Sequence, residues 1–355
     1  MKTITNSEYR NDPAISRSDL ILLLKNPNDF YNVKYKGKKL EHTQAMLVGS
    51  EIHAFLEGAE FKDLIVLPST DAGQIRFEGN GTQKKLFEDF RESPYFKAEE
   101  WDYNTMDDKG KEKYTFFHRT IKSEKDLNEN CIAYSSMKKL EAMMEALKKQ
   151  EFYEDIVLNK NVLKEQSILF DYEGIHLKIR MDGFMVSHKT KTAIIYDYKS
   201  TADMNPFSLF ESIKLYGYNV QAYMYMLGLS SLEAYENYKI IFRIIFQSKQ
   251  EPSNCRIIEF KFNEEQGNET MNCLIKEGKC MFEKSLEIYK TYLAEYGETK
   301  EWLNKAYMIP LDFHHNMIMN TNNKIVSNYF PCAGDDLLYD FENAELNKII
   351  NQKPL

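Results

Sequence analysis

Asp182, Asp197 and Lys199 are the residues of this chain whose types and spacing best suit a reaction centre. Asp197 and Lys199 stand two apart, so an extended segment projects both from one face, with Tyr196 and Tyr198 on the other. Asp182 ends a preceding segment in which Ile175, Leu177, Ile179 and Met181 alternate with His176, Lys178, Arg180 and Asp182. Pairing the two segments through a short turn at residues 188–191 brings two carboxylates and an ammonium to one strand end. Close carboxylates repel unless a cation lies between them. Hard oxygen ligands suit Mg²⁺, with Mn²⁺ as the alternative. Such an ion polarises a phosphate and lowers the pKa of bound water. A neighbouring lysine can orient that water or stabilise the charge that builds up on the phosphoryl oxygens. This is the outline of a phosphodiester hydrolysis site. The tripeptide Asp197-Tyr198-Lys199 alone would more commonly be a solvated surface pair; Asp182 raises it above that.

The elements that must position these residues can be read from periodicity. Strands are expected at 166–172, 175–184 and 192–199, the first two joined by a tight Glu173-Gly174 turn, which makes an antiparallel meander. A long amphipathic helix is expected at 207–229, two strands at 238–247 and 255–262, and a helix over 264–297. Upstream, residues 16–31 read as one helix capped by Ser16 with Asp19 at the capping-box position; 45–57 and 135–150 read as two more. Residues 70–130 are polar, with Gly-rich spots, and read as loop-rich. The order predicts an α/β fold, a mixed central β-sheet with an antiparallel meander flanked by helices.

Bulk properties narrow the function classes. With 355 residues, 43% hydrophobic and 28% charged, the chain can bury a sizeable core. No apolar run approaches the roughly 20 residues of a membrane helix, and the first ten residues lack a signal-peptide core, so a cytoplasmic protein with no membrane partner is expected. A net charge of −8 weighs against a broadly basic nucleic-acid surface but allows a local basic groove. The five cysteines form no CxxC pair, so free thiols are expected rather than a zinc knuckle. The KYKGKK run places Lys34, Lys36, Lys38 and Lys39 around Tyr35; it reads first as a solvated charge run and second as a DNA-backbone contact. His314-His315 has no carboxylate at metal spacing and reads as incidental.

Four motifs in order resemble the RecB/RecE-type branch of the PD-(D/E)xK nucleases: VGSEIH at 48–53, RMDGF at 180–184, YDYKST at 196–201 and GYNVQAYMY at 217–225. The entry segment at 14–31 and the strand pair after residue 242 are similar to the RecE-type phage and prophage recombination exonucleases in particular. The resemblance spans roughly residues 9–300, which implies an exonuclease domain over 1–300, with 70–130 as an insertion or lobe, and a C-terminal extension over 301–355. The fold it implies is restriction-endonuclease-like.

Residue by residue, the resemblance makes Asp182 and Asp197 metal ligands through carboxylates, Tyr198 a ligand through its carbonyl and His53 a ligand through its imidazole. Lys199 becomes the catalytic lysine, and Gln221 and Tyr225, one helical turn apart, contact the lysine or a substrate phosphate. Glu165 and Arg180 are accessory candidates, and Lys178 shares the face of Asp182 as a DNA contact. The implied activity is Mg²⁺-dependent 5′-to-3′ resection of linear double-stranded DNA ends. The implied partners are DNA, a single-strand annealing protein and further copies of the chain in a ring, trimer or tetramer. Met181 stands where the family often has proline before the first acid. An AddB-like iron–sulfur nuclease is the nearest alternative, but no cysteine precedes residue 131, so no cluster is expected. A catalytically idle DNA-binding or assembly subunit is the other, and retention of both acids and the lysine speaks against it.

Overall fold

The computed structural model describes residues 5–39, 44–57, 64–68, 76–79, 82–106, 109–110, 112–121, 131–250, 252–303, 316–319 and 325–329; His314 and His315 lie outside them. Helix α1 (Asn6–Asn11) is closed at its start by a Thr5–Glu8 capping box. A two-residue strand β1 (Ile15–Ser16) runs straight into helix α2 (Arg17–Lys25), because Ser16 accepts from the Asp19 amide while Asp19 accepts from the Ser16 N–H. The single helix expected over 16–31 is two. Asn26 is extended and caps helix α3 (Pro27–Lys36), with Pro27 at the first turn, where a missing N–H is harmless.

Helix α4 (Gln44–Glu57) falls where expected. The stretch read as loop-rich contains strand β3 (Arg76–Gly79), helix α5 (Thr82–Arg91), and strands β4 (Trp101–Met106) and β5 (Glu112–His118). These strands form an antiparallel sheet in the order β3-β5-β4. A polar average concealed them, because a few large aromatics supply the core: Phe87, Phe90 and Trp101 meet with ring centroids about 6 Å apart. Flanking strands β2 (Ile65–Leu67) and β6 (Cys131–Ala133) pair in parallel, and helix α6 (Tyr134–Lys148) follows.

The meander forms as its alternation predicts: β7 (Leu163–Tyr172), β8 (Ile175–Ser187) and β9 (Thr192–Thr201). Glu173 and Gly174 take φ of 48° and 79°, the left-handed pair that a two-residue hairpin turn needs. The amphipathic helix expected over 207–229 is broken into α7 (Pro206–Leu215) and α8 (Tyr218–Ser230) at Gly217, whose φ is 65°. Helix α8 is not amphipathic: ten of its 13 residues are buried, since it lies between the sheet and the long helix that follows. Strands β10 (Lys239–Ser248) and β11 (Cys255–Lys261) and helix α9 (Glu269–Tyr296) complete this layer; β12 (Asn316–Met319) and β13 (Ile325–Tyr329) pair with each other.

The main sheet has the order β1-β8-β9-β10-β11, with β7 on the other edge of β8. The β1–β8 and β9–β10 pairs are parallel and the rest antiparallel, so the sheet is mixed, as expected. It separates two cores. Leu177, Ile179, Ile195, Phe242 and Ile244 pack with α2, α3, α8 and α9; Tyr196, Tyr198 and Ile245 turn to the core containing α4, α5 and α6. The fully buried Trp302 stacks on Tyr292 and donates to Gly297 O at 2.7 Å, so the main core extends past residue 300. Among the described residues no helix is long and apolar enough to cross a membrane.

The second core yields a test of its own. His118 is buried beside Glu100, Nε2 to Oε2 3.4 Å, and burial holds its pKa below the usual value although Glu100 pulls it upward. Below about pH 6.5 the unfolded chain therefore takes up a proton that the folded one refuses, and stability falls with pH. Chemical denaturation below about pH 6.5 is expected to show stability falling as pH falls through this group's contribution, and His118→Asn removes that component. An unchanged pH dependence in the variant would refute the assignment.

Candidate active site at a fork in the sheet

Two strands compete for one edge of β8, and the site lies where neither holds it. Strand β9 pairs with β8 from Ser187↔Thr192 to Gly183↔Tyr196 and then departs, staying with β10 as far as Thr201↔Ser248. Strand β1 takes the same edge further along, at Leu177 and Lys178. Asp182 stands at the vertex. Its Oδ2 accepts from Tyr198 N–H at 2.9 Å, satisfying a strand amide that β8 has left unpaired. A strand residue presents its N–H and C=O to the same edge, so the Tyr198 carbonyl also points into the fork. The Tyr198 ring turns to the opposite face, where its hydroxyl donates to Gln247 and anchors the strand from behind.

The fork brings the acids and the lysine together. Lys199 Nζ lies 2.6 Å from Asp197 Oδ2, and Gln221 of α8 donates to Asp197 Oδ1 at 2.5 Å. Asp197 is 2% exposed and Lys199 18%. His53 of α4 approaches from the other layer, its ring edge-on to Tyr198 and Nδ1 3.3 Å from Asp182 Oδ2; the His53 and Asp182 side chains are 29% and 24% exposed. Burial raises the Asp182 pKa, and Asp197 raises it further, while His53, Lys199 and the Tyr198 amide oppose the rise. Burial works against the Lys199 charge, but Asp197 and Asp182 together outweigh it and hold the ammonium above its usual range. Tyr225, one turn beyond Gln221, is buried with its pKa raised by burial first and then by Tyr9, Asp197 and Asp182.

This donor set fits a hard divalent cation in an incomplete form. Among the described residues no three His, Cys, Asp or Glu side chains converge at metal spacing. Mg²⁺ is commonly held by one or two carboxylates plus waters and substrate phosphate, not by a closed protein cage. Asp182 and Asp197 with the Tyr198 carbonyl meet that description, and His53 stands at its margin.

The accessory candidates take different places. Glu165 lies across β7–β8 from Asp182, between the pairs Lys164↔Gly183 and Gln166↔Met181. Its φ of 51° is unusual for a side-chain-bearing residue, and its carboxylate accepts from Arg180 Nε. Lys178, expected to face DNA, is 4% exposed and donates instead to the Tyr9 and Asp12 carbonyls at 2.7 and 2.8 Å. Its face is the predicted one, but the α1–β1 segment covers it. Lys34 likewise binds Ala14 O and Asp19. Lys36 lies over the Tyr31 ring, Lys38 pairs with Asp29 at 2.9 Å, and Lys39 is exposed.

Two neighbours of the site escaped sequence reasoning. Arg17 donates to the Tyr216 and Gly217 carbonyls, and Tyr218 has Lys199 Nζ 5.3 Å from its ring centre. Contacts some 200 residues apart leave no local periodicity to detect, although Tyr218 lies within the GYNVQAYMY segment.

Residues 16–291 match the family described as "PDDEXK-like domain of unknown function (DUF3799)". A comparison with curated proteins finds no match. Among solved structures, a Eubacterium rectale protein described as a "putative exonuclease" is similar at 14% identity, covering 82% of this chain and 88% of that one with a TM-score of 0.47. The protein SSO0001 is similar at 13% identity, with 68% and 85% covered and a TM-score of 0.24.

Proposed function

Because the chain belongs to the family of PDDEXK-like domains matched over residues 16–291, we propose that it is a Mg²⁺-dependent deoxyribonuclease, and within that class a RecE-type 5′-to-3′ exonuclease resecting linear duplex ends for recombination. The observation that supports this reading best is the meeting of Asp182, Asp197 and Lys199 at the β8–β9 fork. A divalent cation held by Asp182, Asp197 and the Tyr198 carbonyl, with His53 beside them, would supply the charge that polarises a phosphate and acidifies water. Gln221 fixes the Asp197 carboxylate, which in turn fixes the Lys199 ammonium beside the fork. From there the ammonium orients an attacking water and stabilises the negative charge that grows on the phosphoryl oxygens. His53 closes the opposite wall of the site.

The test is cleavage of linear and closed-circular duplex DNA by wild type and Asp197→Ala, each with Mg²⁺ and with EDTA. Loss of the linear form alone, requiring both Mg²⁺ and Asp197, is expected. Cutting of the circle would keep the chemistry and overturn the exonuclease reading. Absence of cleavage with any divalent cation would leave an idle DNA-binding subunit in its place. The same proposal includes a ring-shaped homo-oligomer with a basic lumen and a single-strand annealing partner. Light scattering that returns a monomer at all concentrations would refute the ring.

A further inference from the structure

Arg17 is a cation that forms no ion pair with a carboxylate among the described residues. It opens helix α2 directly after the β1 strand and is half-buried. Two of the five guanidinium N–H groups go to backbone: Nε to Gly217 O at 3.4 Å and Nη2 to Tyr216 O. Burial works against the Arg17 charge and lowers its pKa, while Tyr225, Asp197 and Tyr218 of the fork oppose that fall. The Tyr218 ring connects it to the reaction centre: Arg17 Cζ lies 5.5 Å from the ring centre and Lys199 Nζ 5.3 Å. The two cations are therefore at most about 11 Å apart.

The backbone is shaped to admit this arginine. Gly217 holds φ of 65°, and a Cβ there would meet Ile21 Cδ1 at 2.5 Å and come to 3.7 Å of Arg17 Nη2. The break between α7 and α8 thus does two things: it turns the chain so that α8 aims Gln221 at Asp197, and it exposes two carbonyls that orient the guanidinium. Tyr216, its ring tilted against Tyr218 with centroids 5.7 Å apart, is exposed, so this side of the fork opens to solvent.

We propose that Arg17 binds a backbone phosphate of the substrate strand, the neighbour of the one positioned at Lys199, and so sets the register of the strand in the fork. A nucleic-acid strand carries one charge per roughly 3.4 Å of axis, which places two successive phosphates within the reach of these two cations. The planar guanidinium suits a phosphate better than an ammonium does. This assignment rests on the nuclease reading above. Arg17 is a substrate-binding residue in it and takes no part in proton transfer.

The bland alternative is that Arg17 merely caps the carbonyls at the end of α7, and the two differ in salt dependence. A short fluorescein-labelled duplex is titrated in EDTA by fluorescence anisotropy, at salt concentrations between about 50 and 200 mM. Arg17→Gln keeps an amide donor for the carbonyls but removes the charge. It is expected to lower the slope of log K against log salt by about 0.9 for a duplex contact, or about 0.7 for a single strand. Arg17→Lys is expected to restore the slope. In Mg²⁺, Arg17→Gln should raise KM about tenfold while kcat changes little, the pattern of lost uniform binding. A wild-type slope in Arg17→Gln overturns the proposal, as does an Arg17→Lys protein that folds yet has lost the slope. Wild-type protein that neither binds DNA in a salt-dependent way nor cleaves it overturns the nuclease reading itself; wild-type cleavage with an unchanged slope in Arg17→Gln overturns the Arg17 assignment alone.

Discussion

On the proposed nuclease reading, Lys199→Ala is expected to lower DNA cleavage by about 10²-fold or more, and to leave a fold whose stability depends on divalent cation far more than that of wild type. The ammonium lies 2.6 Å from Asp197 Oδ2, and it also offsets Asp182. Removing it leaves two carboxylates at the fork, with His53 3.3 Å from Asp182 and Arg17 farther off across the Tyr218 ring. Breaking a buried pair by deleting one partner costs about 3–5 kcal/mol, because the other charge stays desolvated. Asp197, 2% exposed, is such a charge. A cation that binds only the folded state restores stability in proportion to the logarithm of its concentration. Thermal melts in EDTA and in Mg²⁺ therefore separate the variant from wild type: the Mg²⁺-induced rise in Tm is larger for Lys199→Ala. Equal rises, or cleavage within a few-fold of wild type, would remove Lys199 from the centre of the site.

Gly278→Ala has the largest effect expected of a residue that touches nothing at the site. Helices α8 and α9 cross there so closely that an added Cβ would lie 2.6 Å from the backbone carbon of Asn219 and closer still to its oxygen. Backbone cannot swing aside as a side-chain tip can, so the helices must part. Overpacking of this kind costs about 1–3 kcal/mol. The displaced residue is two positions before Gln221, and Asn219 is itself tied to α9 through Leu274 O at 3.2 Å. Parting the helices thus loosens the Gln221 hold on Asp197. The expected outcome is a lower denaturation midpoint together with a drop in kcat at unchanged DNA affinity. A destabilised variant with full kcat would show that α8 does not position the carboxylate.

Much of this arrangement was legible before any coordinates. The meander and the shared face of Asp197 and Lys199 follow from alternation, which depends only on neighbours two residues away. The capping box at Ser16 and Asp19 is equally local. Where local rules met a tertiary demand they failed. Residues 207–229 have an unbroken helical pattern, yet Gly217 breaks it so that α8 can enter the core and α7 can end beside Arg17. The polar stretch over 70–130 holds a small sheet because a few aromatics pack around one another, which an average over the segment does not register. Lys178 lies on the expected face but is covered by the chain before β1, and a face says nothing about what lies over it.

By itself the sequence determined the strand alternation, the capped start of α2 and the chemical identity of the two acids and the lysine, since these depend on residue type and on spacing within one element. Only the tertiary structure decided that β1 and β9 divide one edge of β8. It alone brought His53 from the opposite layer to Asp182 and set Arg17 against Gly217. Those placements depend on which elements compete for a shared strand edge and on how closely two backbones can approach, quantities that no stretch of neighbouring residues contains.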